Sequence, residues 1–266
     1  MNLIEPNLIE SNSRINLYLK RLGIPTDADS LRCGRELLNR LQYAHVTTIP
    51  YENIDILRGV PLPMTFEKQY EKIILHRRGG YCFELNGLFA GLLRDLGYQV
   101  TTYMARFLRG ETTVPMRRHR VIRASCPDGS FICDVGVGQA APRYPLQLVP
   151  DLIQEQCGET YKIVKEDFFG WVIYDLHQGE WRRFYSFTEE EQLDIDFIMP
   201  SYYCENAPDS IFKKSLMLSI KTTDGRKTID GNLFRIFSPN GVTETPLSGE
   251  RQINDTMKDH FGIELT

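Results

Sequence analysis

Arg78-Gly79-Gly80-Tyr81-Cys82-Phe83-Glu84-Leu85-Asn86-Gly87 opens with two adjacent glycines and runs at once into a helical pattern. The glycines permit a tight, positive-φ approach of the backbone. Leu85, Leu88, Phe89, Leu92, Leu93 and Leu96 recur at steps of three and four, which makes one apolar stripe. Gly97 stands where a left-handed C-cap belongs. Cys82 therefore falls in the first turn of a buried helix, where free N–H groups and the positive end of the helix dipole point. That position lowers a thiol pKa and favours the nucleophilic thiolate. A free cysteine is also an ordinary small buried hydrophobe. The glycine pair and the helix start alone leave the two readings open.

Working outward, two downstream segments supply partners for a thiol. Pro115–Arg123 carries His119 at the start of a strand-like run, and Phe131–Gly138 carries Asp134 at the end of another. A thiol nucleophile needs a base for its proton, and the base needs a carboxylate to set its tautomer. The turn Cys126-Pro127-Asp128-Gly129-Ser130 would join the two strands and set His119 beside Asp134. Whether the two share a face depends on the pairing register, which the sequence leaves open.

These residues carry a resemblance. The runs Thr48-Ile49-Pro50-Tyr51-Glu52-Asn53, Arg78–Asn86, His119-Arg120, Asp134-Val135-Gly136-Val137-Gly138, Pro145-Leu146 and Tyr203…Ala207–Phe212 resemble the arylamine N-acetyltransferases nearly end to end. The Arg-Gly-Gly-x-Cys-x-Glu-x-Asn string, with His and Asp following in order, is highly specific. The resemblance implies an α+β fold with an N-terminal helical bundle (1–86, carrying the cysteine), a central β-barrel (87–196, carrying His and Asp) and a C-terminal α/β lid (197–266). It implies a papain-like catalytic core at the bundle–barrel junction. It implies ping-pong acetyl transfer from acetyl-CoA, as co-substrate, to arylamines, hydrazines or N-hydroxyarylamines, a chemistry of xenobiotic metabolism. The nucleophile matches Cys82, the base His119 and the orienting acid Asp134. Tyr51, Val137 and Tyr203 are implied acceptor-pocket residues. Family members often carry an aromatic residue at the Val137 position, and valine offers a wider, less stacking surface. Glu52 is implied as scaffold tied to Arg78. Pro115 and Met116 stand where some members have a small residue and a glycine that contact CoA.

Arg106, Arg109, Arg117, Arg118, Arg120 and Arg123 cluster around His119. Such a cluster is a solvated face or the landing place of an anionic cofactor. On an extended strand, alternation puts Arg117 and Arg123 on the side of His119, which favours Arg117 over Arg118 for CoA. Gly136 and Gly138 permit close backbone approach to a ligand, or else mark a bulge. Gly138 is taken with Arg117 and Arg118 as a cofactor-side candidate.

The chain of 266 residues can bury a large core. Hydrophobic and charged contents of 42% and 25% suit a globular protein. A net charge of −4 disfavours non-specific nucleic-acid binding. No apolar run reaches the length of a membrane span, and the acidic start Met1–Glu10 does not read as a signal peptide. Cysteines at 33, 82, 126, 133, 157 and 204 show no C-x-x-C spacing, so no zinc or dithiol motif is expected. Reduced thiols in a cytoplasm fit best.

Along the chain, 13–45 reads as helical with a break at Gly23-Ile24-Pro25, and Asp29 or Ser30 is the expected cap of the second helix. His45 is expected to be buried with a backbone hydrogen bond, and 66–74 to form a short helix. Short strands are expected at 99–105, 121–124, 130–135, 160–165, 170–176 and 181–187, spaced as in a barrel or sandwich. Trp171 and Trp181 are expected to pack in that core. A short connector helix is expected at 189–196, a hairpin turn at Thr223-Asp224-Gly225, and a last helix capped by Ser248. A thiol hydrolase or a transglutaminase-like enzyme would use the same three groups. A binding module that kept the fold without turnover is the reading from another class.

Overall fold

The computed structural model describes residues 6–265. The N-terminal part holds α1 (Pro6–Leu22), α2 (Arg35–Thr48), β1 (Tyr51–Glu52), α3 (Ile54–Arg58), α4 (Phe66–Tyr70) and α5 (Cys82–Asp95). The stripe of α5 does what its spacing predicts. Leu85, Leu88, Phe89, Leu92 and Leu93 are buried in one cluster with Leu19 of α1, Leu38 and Leu41 of α2, and Ile122 and Phe131 from the sheet that follows. Gly97 ends the helix with φ +87°. The cap expected from Asp29 or Ser30 is not where the second helix begins. Asp27 Oδ1 accepts the Ser30 N–H at 2.9 Å and closes a separate 3-10 turn, Asp29–Leu31. A local side-chain bond of this kind competes with helix, and α2 starts only after Gly34. His45 is buried as expected, but among the described residues neither ring nitrogen has a hydrogen-bond partner. It packs between Tyr18 and Phe89, and burial lowers its pKa to about 3.

The middle of the chain forms one antiparallel sheet: β2 (Gln99–Phe107), β3 (His119–Cys126), β4 (Gly129–Cys133), β5 (Leu146–Gln147), β6 (Gln154–Gln156), β7 (Glu159–Glu166), β8 (Gly170–His177) and β9 (Glu180–Glu191). The spatial order is β5-β4-β3-β2-β9-β8-β7-β6. The terminal strands share no ladder, yet side chains close most of the gap. Gln154 bonds the backbone of Gln147 through both ends of its amide (2.7 and 3.0 Å), and Gln156 does the same with Tyr144 (2.6 and 3.1 Å). The result is a nearly closed barrel whose interior holds Tyr103, Trp171, Phe184 and Phe187. Trp181 is only half-buried, under the Lys162 ammonium at 4.5 Å. The connector helix expected at 189–196 is mostly strand: β9 runs to Glu191, and only Asp194–Phe197 makes a 3-10 turn.

The remainder holds α6 (Ile198–Asn206), β10 (Met217–Lys221), β11 (Arg226–Asp230), β12 (Leu233–Ser238), β13 (Gly241–Pro246) and α7 (Gly249–Phe261). Ser248 sits at the N-cap of α7, but its side chain does not cap. Instead its N–H donates to Gln252 Oε1 at 2.6 Å. These strands form a second sheet with β1 at its edge, through Tyr51↔Ser219 and Glu52↔Leu218. The expected boundary at 86/87 falls inside α5, and β1 of the first unit pairs within the sheet of the last. Among the described residues no helix is long and apolar enough to cross a membrane.

Candidate active site

Cys82 is the first residue of α5 and is 3% exposed. The glycines before it work by size, not by conformation. Neither takes a left-handed φ, whereas Arg77 does (φ 54°). A Cβ on Gly79 would lie 2.2 Å from the Pro50 carbonyl oxygen, so only glycine lets the chain pass β1 there. Glu84 Oε2 accepts the Tyr81 N–H at 3.1 Å and satisfies one free donor of the helix start.

The register of the β3–β4 hairpin decides whether the other two groups meet. Pairing runs from Cys126↔Gly129 to Ile122↔Cys133. One further step sets Asp134 opposite Val121, and His119 lies two positions on, on the same face. His119 Nε2 and Asp134 Oδ2 are 2.6 Å apart, both groups buried. Asp134 Oδ1 accepts from Asn86 Nδ2 and from the Gly136 N–H, each at 2.9 Å. Asn86 Nδ2 also donates to the Arg120 carbonyl (2.6 Å), while Asn86 Oδ1 accepts the Val135 N–H (2.9 Å). Gln42 Oε1 accepts the Asp134 N–H at 3.3 Å. The edge of Tyr185 rests on the His119 ring at 5.6 Å. Asn86 follows Cys82 by four residues, so one helix face presents both. That spacing was available in the sequence as a signal. Gln42 and Tyr185 offered none, because they arrive from distant elements.

The Cys82 Sγ lies 4.0 Å from the Arg118 carbonyl oxygen. The lowered thiol pKa expected from the helix start is not found. Burial pushes the Cys82 thiol well above its ordinary value, and Cys204 and Asp134 add to the effect, opposed by the Phe83 N–H. Desolvation of a buried thiolate outweighs the pull of the helix end.

A cleft of about 900 Å³ between the barrel and the second sheet reaches Cys82 and His119. Tyr51, Val137, Gly138 and Arg118 line it, as do Phe212 and Met217. Arg117 and Tyr203 do not. β3 begins only at His119, so strand alternation does not govern Arg117, which pairs with Glu190 on the surface at 3.2 Å. The Tyr203 hydroxyl bonds Asp209 on the outside of α6. Arg120 is fully buried under Phe197 and bonds Asp194, and Arg123 pairs with Glu189, so the basic cluster splits rather than forming one face. Gly136 packs on protein, not on a ligand: a Cβ there would lie 2.8 Å from the Cys82 Cα. Gly138 takes φ +65° beside Tyr51 and Ser219. Among the described residues no group of three or more His, Cys, Asp or Glu is arranged to hold a metal ion. The six cysteines are all unpaired.

On the other side of the helix start lies a second polar cluster. Lys72 Nζ reaches Asp55 and Glu84, and Arg78 reaches Glu52 and Asp55, all at 2.8 Å. The expected Glu52–Arg78 pair is present, joined by Asp55 and Lys72, which no sequence pattern singled out.

The N-acetyltransferase family model matches residues 36–266. The arylamine N-acetyltransferase / N-hydroxyarylamine O-acetyltransferase of Salmonella typhimurium is 32% identical over 250 residues, covering 93% of this chain and 86% of the relative. The structure of the arylamine N-acetyltransferase from Mycobacterium tuberculosis superposes with a TM-score of 0.87 at 30% identity, covering 94% of this chain and 93% of that one. That of the Mycobacterium marinum enzyme, solved in complex with CoA, has a TM-score of 0.86 at 29% identity, covering 94% and 92%. The chain therefore belongs to the arylamine N-acetyltransferase family, a family of acyltransferases.

Proposed function

We propose that the protein transfers acetyl groups from acetyl-CoA to the nitrogen of arylamines, hydrazines or N-hydroxyarylamines, by a ping-pong mechanism through an acetyl-Cys82 intermediate. The observation that carries this reading is the 2.6 Å His119–Asp134 hydrogen bond at the cleft that Cys82 also lines. With Nε2 held by Asp134, the other ring nitrogen of His119 is the one that takes the Cys82 proton. The thiolate attacks the thioester carbonyl, and the Cys82 N–H at the helix start is a donor for the oxyanion. The tetrahedral adduct collapses, and CoA leaves as the thiol with the proton that His119 returns. The amine then attacks acetyl-Cys82, His119 takes the amine proton, and collapse frees Cys82. Because burial pushes the Cys82 thiol up, proton transfer to His119 rather than the helix dipole creates the nucleophile.

Tyr51 and Val137 wall the acceptor side, Arg118 stands on the route for CoA, whose phosphates suit a guanidinium, and Gly138, packed against Tyr51 and Ser219, borders both routes. The second sheet with α6 and α7 is read as the lid over a papain-like core. A cytoplasm suits six unpaired thiols.

Mass spectrometry after incubation with acetyl-CoA tests the reading. One acetyl group should appear on Cys82 and be lost to added arylamine but not to water alone. Loss to water would make the protein a thiol hydrolase, and loss only to lysine side chains a transglutaminase-like enzyme. No acetylation at all would leave a CoA- or arylamine-binding module.

A further inference from the structure

We propose that Arg226 is the anion-recognition group at the acceptor end of the cleft, selecting arylamines that carry a carboxylate. The inference rests on the acetyl-transfer reading and adds the class of acceptor.

Among the described residues, five arginines line the cleft, and three of them have carboxylate partners. Arg109 and Arg182 share Asp175, and Arg235 pairs with Glu244. Arg118 and Arg226 have none. Arg118 lies at the Cys82 end, where its carbonyl meets the thiol. Arg226 lies on β11, with its guanidinium 3.7 Å above the Phe237 ring. Its Nε donates to Gln139 Oε1 at 3.1 Å. That bond and the ring fix the plane of the guanidinium, while among the described residues neither Nη group has an acceptor. A planar, positioned fork of this kind matches a carboxylate in two-pronged fashion. The surroundings carry an excess of positive charge. Arg143 and Lys221, both buried, share the single carboxylate of Glu159 (3.1 and 2.6 Å). Burial, and beyond it Arg143 and Arg109, works against the charge on Arg226, with Glu159 opposing them. An anion arriving there relieves that strain.

The backbone says which substrate the anion belongs to. One short run joins Arg226 to the reacting groups. Asp134 holds His119, Gly136 rests on Cys82, and Gly138 packs against Tyr51 and Ser219. Gln139, the next residue, holds Arg226. Ser219 is 6% exposed and lines the same wall, and its hydroxyl has no partner among the described residues. An aromatic amine lying along Tyr51 and Val137 with its nitrogen toward Cys82 directs its far substituent at this polar end.

The test compares 4-aminobenzoate with its neutral counterpart 4-aminobenzamide as acceptors, using wild type, Arg226→Gln and Arg226→Lys. Loss of one charge-assisted pair should lower kcat/KM for 4-aminobenzoate by about 10- to 100-fold in Arg226→Gln. The amide and the KM for acetyl-CoA should stay unchanged, and Arg226→Lys should recover part of the loss. Wild type alone gives a second readout: salt should raise the KM for 4-aminobenzoate and not for the amide. A selective rise in the acetyl-CoA KM would overturn the assignment by making a donor phosphate the anion. Equal effects on both acceptors, or none, would also overturn it. If wild type acetylates the amide normally but ignores charge, only this inference fails. If it acetylates neither amine, the transferase reading falls first.

Discussion

The first turn of α5 has two polar sides, and they are built for opposite ends. On one side Cys82 and Asn86 face His119 and Asp134 and open onto the 900 Å³ cleft. On the other, Glu84 faces Lys72, Asp55, Arg78 and Glu52 beside a second cavity of about 770 Å³. The second side is internally paired: three carboxylates and two cations reach one another at 2.8 Å, so each charge has a protein partner. The first side is left incomplete. Its carboxylate is held by His119, Asn86 and Gly136, yet among the described residues its thiol meets only weak backbone partners, the Arg118 carbonyl at 4.0 Å and the Phe83 N–H. Buried charges that satisfy one another hold a structure, and a buried group left without a strong partner is free to react. Adjacent positions on one helix thus serve chemistry and scaffold, divided by which neighbours the fold brings to each.

Substitutions can break that contrast. The largest effect is expected for Cys82→Ala, which should abolish acetyl transfer and leave melting nearly unchanged, while Cys33→Ala and Cys157→Ala keep their rate. Transfer by the Cys82 variant at near wild-type rate would show that another group is the nucleophile. Asp134→Asn should keep the fold and lose roughly 10²-fold or more in rate, because the amide no longer stabilises cationic His119. A near-normal rate would mean that another acid serves the histidine.

On the scaffold side the expected signature reverses. Lys72→Met strands Glu84 and part of Asp55, and Arg78→Gln strands Glu52. Removing one partner of a buried pair costs about 3–5 kcal/mol, so melting should fall while the activity of the folded fraction holds. Unchanged melting with a selective rate loss would move this cluster into the catalytic machinery.

The smallest effect lies in the pH dependence. Burial opposes the charge on Lys72, but Glu84, Glu52 and Asp55 together raise its pKa above the ordinary 10.5. Its contribution is therefore full below pH 10.5 and is lost as pH rises beyond it. Burial likewise works to raise Asp55, but Lys72 and then Arg78 prevail and lower it below 3.8. Its contribution is present above that value and is lost as pH falls through the folded pKa. Glu84 runs the other way. Burial, with Glu52 behind it, raises its pKa against Lys72, so its protonation relieves crowding as pH falls. Lys72→Met should make stability fall less steeply above pH 10.5, by at most one proton, about 1.4 kcal/mol per pH unit. An unaltered alkaline limb in melting curves would show that Lys72 is not held by these carboxylates.

Much of this was legible residue by residue. The stripe from Leu85 to Leu93 follows from helical periodicity alone, as does Cys82 at its head, and the short strands announce themselves by length and by turn residues such as Pro127-Asp128-Gly129. His119 and Asp134 were identifiable as candidates because each sits at the end of such a strand. Their union was not, because pairing register depends on which faces the rest of the molecule buries. The same gap explains Arg117. Alternation predicts its side only inside a strand, and the strand starts two residues later. It explains the thiol as well: a helix start argues for a low pKa, and only the enclosing neighbours set the desolvation that overrides it. Asp55, Lys72, Gln42, Gln139 and Arg226 carry no local pattern that marks them. They matter because five-residue helices, a barrel closed by glutamine side chains and a sheet that borrows β1 bring them within reach of α5 and the cleft. Local periodicity is written into neighbouring residues and survives reading the chain alone, whereas long-range contact, register and burial exist only once the whole chain has packed.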